Sequence, residues 1–72
     1  MREYSRILIE EYCMSHKYTK KSAFLWDLVD LSYTMECEPD EWEAIQLEQY
    51  ISREKNPELK EALIDLDEFL FG

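Results

Sequence analysis

Three groupings of side chains in this sequence have the types and spacing to do chemistry. Cys13 and His16 stand in a C-x-x-H spacing, with Cys37 as a third potential ligand. Structural zinc needs four ligands, usually in two close pairs. No second pair is present, so no metal centre is expected. Ser15 adds a hydroxyl beside Cys13 and His16, but no Gly-rich turn or nucleophile elbow holds them. The stretch Glu36-Cys37-Glu38-Pro39-Asp40-Glu41 offers carboxylates to a cation, yet it lacks the Gly and the alternating spacing of a calcium loop. Lys17, Lys20 and Lys21 surround Tyr18 in a cluster that could touch phosphate, but the acidity of the rest of the chain opposes it. The only Gly is Gly72, which removes any internal phosphate-cradling loop. Carboxylates are plentiful, but an acid–base pair needs a pocket that shifts their pKa values. No catalytic residue, cofactor or enzymatic activity is therefore expected.

What remains is charge. The chain has 72 residues with 17 acids and 8 bases, a net charge of -9. The excess is uneven: residues 1–22 hold five bases and three acids, whereas residues 23–72 hold three bases and fourteen acids. Such a field repels DNA, RNA and anionic membranes, so direct binding to any of them is not expected. It also exceeds the magnitude of about 2–8 that keeps a small domain soluble. Two clusters concentrate it. Asp40, Glu41 and Glu43 crowd the start of a helix, where its dipole favours them. Glu58, Glu61, Asp65 and Glu68 recur at intervals of three, four and three, which places them on one helical stripe. Rows of carboxylates can imitate a phosphate backbone and occupy the Lys and Arg that grip it. The expected function is a non-enzymatic acidic binding protein whose partner is a basic, nucleic-acid-binding protein. It would act as a nucleic-acid mimic or decoy, of the same type as phage-encoded inhibitors and antitoxins.

The elements that position these residues are helices. Asn56-Pro57-Glu58 combines an N-cap, a first-turn Pro and an acid that suits the dipole. Leu59, Ala62, Leu63, Leu66 and Leu70 then follow on one stripe. Glu38-Pro39-Asp40-Glu41 is a second start signal, and Thr19 or Ser22 caps another helix. The spacing predicts helices over 3–16, 20–36, 39–54 and 57–71, or three helices with one split. Strands are excluded, because sustained apolar–polar alternation is absent and no internal Gly can make a hairpin turn. The fold class is all-α: one domain over residues 1–72. Area scaling gives about 4,800 Å² exposed against about 12,800 Å² for the open chain, so the core must be thin.

The second helix is expected to be central. Phe24, Leu28, Leu31 and Met35 form one row; Leu25, Val29, Trp26 and Tyr33 extend it, leaving only Asp27, Asp30 and Thr34 polar. In the third helix Ala44, Leu47 and Ile51 make the core stripe, while Trp42 and Ile45 point nearly opposite. Ile64 and Phe71 likewise leave the main stripe of the last helix. These four residues carry the alternative reading: an interaction module or homodimer seam with Trp42 as anchor, in which charge serves only solubility. Lys20 and Lys21 are expected to pair with carboxylates of another helix. The short Ile7-Leu8-Ile9 run makes neither a signal peptide nor a membrane span, and two cysteines are few for a secreted mini-domain. A cytoplasmic chain with free thiols is expected.

Overall fold

The computed structural model describes residues 1–34 and 39–72. Met35, Glu36, Cys37 and Glu38, named above, lie outside the described residues. Four helices follow in order: α1 (Glu3–Ser15), α2 (Lys20–Thr34), α3 (Glu41–Arg53) and α4 (Pro57–Phe71), with no strand among the described residues. The all-α, four-helix expectation holds, and every described boundary falls within two residues of its predicted place.

The start signals work by the chemistry that their residues suggest. The Asn56 side chain accepts hydrogen bonds from the backbone N–H of Glu58 (3.0 Å) and Leu59 (3.4 Å), with Pro57 opening the first turn of α4. Replacing Asn56 by Ala leaves both N–H groups unpaired, and thermal denaturation should show a loss of about 1 kcal/mol. Thr19, rather than Ser22, caps α2: its hydroxyl oxygen accepts from the Ser22 N–H at 3.1 Å. The third helix opens two residues later than Pro39. There Asp40 is the capping residue, and its N–H is satisfied by the Glu43 carboxylate at 3.1 Å.

Each helix buries one stripe, because residues three or four apart share a face. Ile9 and Cys13 of α1 meet Leu25, Leu28 and Val29 of α2, Leu47 of α3, and Leu59, Ala62, Leu63 and Leu66 of α4. Burying a Leu fully is worth roughly 1.5–3 kcal/mol, and few contribute, so the core is thin as expected. Ser5 is buried beside it, a small polar residue whose size rather than hydropathy admits it.

The centre differs from expectation. Helix α4 packs on α1, α2 and α3, most extensively on α1, whereas α2 packs chiefly on α1 and more thinly on α4. The apolar surface of α2 runs around most of its circumference, but its neighbours cover only part of it. Trp26 and Tyr33 consequently stay 41% and 53% exposed. The narrower stripe of α4 is entirely used.

One tie joins α2 to α3. The Lys21 ammonium lies 2.6 Å from Glu54, with both side chains mostly covered. It also sits over the rings of Tyr12 (4.9 Å) and Tyr50 (5.8 Å), so one cation links α1, α2 and the end of α3. Burial alone raises the pKa of Glu54. Lys21 and the Asn56 N–H outweigh that effect and hold the carboxyl below its ordinary range.

Candidate functional site

Helices α3 and α4 are adjacent in sequence and packed together, so their outward faces form one surface. On α4 the residues opposite the Leu stripe are Glu61, Ile64 and Glu68, all exposed. On α3, Trp42 and Ile45 point away from the core stripe and Glu41 and Glu48 flank it, all four exposed. The two helices together therefore present a ridge in which carboxylates alternate with apolar side chains. Trp42 is 64% exposed and touches the fold through an edge-on contact with Phe24, at 6.1 Å between ring centroids. Ile45 is 53% exposed.

The seven carboxylates singled out in the sequence divide by what the fold does with them. Glu41, Glu61 and Glu68 project from the ridge with no hydrogen-bond or ion-pair partner among the described residues. Asp40 and Glu43 form the helix start described above. Glu58 lies within 3.4 Å of the Tyr4 hydroxyl, on the side that faces α1. Asp65 is committed to the fold: it accepts from the backbone N–H and the Nε of Arg2, each at 3.1 Å. The Ser5 hydroxyl, followed by Arg2, holds its pKa below the ordinary carboxylate range. Equal helical spacing concealed this division, because the edge of the stripe borders α1 and its basic N-terminal turn. Among the apolar four, Phe71 folds back half-buried against the core, while Trp42, Ile45 and Ile64 stay exposed.

Two acids belong to the ridge that the sequence did not single out. Asp67 is half-buried, and its pKa is raised by burial first, then by the negative charges of Glu48 and Glu68. The charges that raise it are both negative, and among the described residues Asp67 has no ion-pair partner. Removing that charge should relieve the strain. Asp67→Asn should raise stability at pH 7 by about 0.5 kcal/mol after solvent screening, with the gain shrinking on acidification as wild-type Asp67 takes up its proton. Urea unfolding at both pH values measures it.

A second surface lies on the opposite pair of helices. Between α1 and α2 runs a groove of about 450 Å³ lined by Met14, Tyr18, Ala23 and Trp26, with Lys17 and Asp27 also on its walls. Buried Cys13 and Ser22 line its base, and the Cys13 thiol points at the Ser22 carbonyl at 3.5 Å. Burial, and then Glu10, push that thiol's pKa up, away from reactivity. The lysine cluster is split: Lys21 is the internal tie, and Lys17 and Lys20 remain exposed. His16 stacks on Tyr12 at 4.2 Å between ring centroids and joins no metal-binding group among the described residues.

Comparison with known protein families, curated proteins and solved structures finds no match. No helix among the described residues is long and apolar enough to cross a membrane.

Proposed function

We propose that this chain is a non-enzymatic binding protein whose α3–α4 ridge occupies a basic surface of a partner protein. The partner class is a nucleic-acid-binding protein, whose phosphate-gripping Lys and Arg the ridge carboxylates would engage, so that binding competes with nucleic acid. The observation that supports this most directly is Asp67. Burial, and then the nearby charges of Glu48 and Glu68, raise its pKa, and it makes no ion pair among the described residues. A fold that neutralises Asp65 with Arg2 and Glu54 with Lys21 leaves this group uncompensated. A cationic partner would supply the missing charge.

The exposed Trp42, Ile45 and Ile64 give the ridge an apolar component. Aromatic and aliphatic anchors among charged side chains add residence time to electrostatically steered encounter. A free, buried Cys13 thiol suits a reducing cytoplasm, where we place the chain.

Capture on the immobilised full chain from a cytosolic extract, washed at low and high salt and read by mass spectrometry, tests the proposal. Basic nucleic-acid-binding proteins should be retained at low salt and released at high salt. Trp42→Ala should weaken retention at least tenfold, the range of an aromatic anchor, with little change in melting temperature. Unfolding of that variant would instead make Trp42 a core residue.

A further inference from the structure

We propose that the α1–α2 face is a homodimer surface, on the side of the molecule away from the acidic ridge. The boundary between α2 and the rest of the chain sharpens the charge division. Residues 1–34 carry five bases and five acids, so the whole net charge of -9 falls on residues 35–72. Two copies of so acidic a chain repel each other wherever the second half takes part. The α1–α2 hairpin is the neutral part, and it too leaves large apolar side chains uncovered. Met14 is 62% exposed and Trp26 41%, and together with Tyr18 they line one groove.

Tyr18 supplies an independent observation. Its φ of 71° is the left-handed conformation that side-chain-bearing residues avoid, and its side chain is fully exposed. The fold gains no packing from the ring, and a Gly would take this backbone without strain. A strained residue whose ring stands free at a groove rim fits a contact made outside its own chain.

The charges along the groove fit a second copy. Lys17 and Asp27 both line it. In a two-fold interface each patch meets itself in the opposite sense, so Lys17 would meet Asp27 of the partner subunit twice over. Such pairing leaves both acidic ridges facing outward, and the dimer would present two of them to a multivalent partner.

Sedimentation equilibrium of the full chain, from about 10 µM to about 1 mM, tests the proposal. The expected mass rises with concentration from 8.8 kDa toward twice that value. Met14→Glu and Trp26→Glu should each weaken association at least about tenfold, whereas Trp42→Glu on the ridge should leave it unchanged. Lys17→Glu should weaken it, and adding Asp27→Lys should restore it. Tyr18→Gly should raise the melting temperature while weakening the dimer, which separates loss of contact from loss of fold. Added salt should tighten the dimer by screening the repulsion between two acidic chains, a response opposite to that of ridge binding. A mass of 8.8 kDa at every concentration would overturn the proposal. So would a dimer that survives both Met14→Glu and Lys17→Glu in folded protein.

Discussion

Reversing Glu48, Glu61 and Glu68 to Lys should abolish capture of the basic partner, with affinity falling on the order of 10³-fold. Close charge pairs across protein interfaces couple by about 1.5–7 kcal/mol, and three reversals replace attractions by repulsions. The three positions are exposed, so the change falls on the surface alone. It should also stabilise the fold slightly, because Asp67 would gain positive neighbours in place of Glu48 and Glu68. Loss of binding accompanied by an unchanged or higher melting temperature therefore excludes unfolding as the cause. Asp65 is left out of the set deliberately: reversing it would oppose Arg2 and loosen α1 from α4, confusing the two effects. Acidification should weaken binding in a related way. Asp67, whose pKa is raised, gives up its charge sooner on acidification than an ordinary Asp would, and its contribution to the ridge field goes with it. Titration calorimetry across pH with the captured partner would record the trend.

The second large effect is internal. Lys21→Met should destabilise the chain by about 2 kcal/mol, because it strands the Glu54 carboxylate in a mostly covered position and removes a cation from two tyrosine rings. In a domain of this size that corresponds to a fall of roughly 8–16 °C in melting temperature. The double variant with Glu54→Gln should recover part of the loss, since no unpaired charge then remains. The pH dependence fixes the mechanism. Glu54 has a depressed pKa in the folded chain, so its contribution is present above the unfolded value of about 4.3 and is lost as pH falls through the folded one. Without Lys21, only the backbone N–H groups of Asn56 and Lys55 oppose burial, so the depression shrinks and the variant should lose less stability on acidification than the wild type. Melting of the single and double variants between neutral and acid pH distinguishes the two cases.

Much of the fold was legible because its signals are local. An Asn before a Pro, and a Thr three residues before a Ser, cap the helices that follow wherever those helices pack. The Leu stripe of α4 likewise carries its own periodicity. What the sequence could not show is which side of a broadly apolar helix its neighbours cover. Helix α2 had enough apolar residues to be enclosed, but α1 and α4 claim one face and leave Trp26 and Tyr33 in solvent. The acidic site was legible in position and less so in membership. Glu58, Glu61, Asp65 and Glu68 share a stripe, yet only tertiary packing brings Arg2 to Asp65 and sets Glu48 near Asp67. The same holds for Phe71, which shares Ile64's helical angle but returns to the core near the end of α4. Of the groove between α1 and α2, the sequence showed one wall at most, that of Met14 on α1. Its other wall could not be assigned until the partner helix was known.

If the uncompensated charge of the ridge makes the contact, the affinity must depend steeply on salt. Binding of the captured partner should be measured for the full chain between about 50 and 500 mM salt. The ridge account predicts a steep linear fall of log affinity with log salt, on the order of 10²-fold across that range, and a flattened response for the triple reversal of Glu48, Glu61 and Glu68. Affinity that stays constant across the salt range, or that the triple reversal leaves intact, would contradict it.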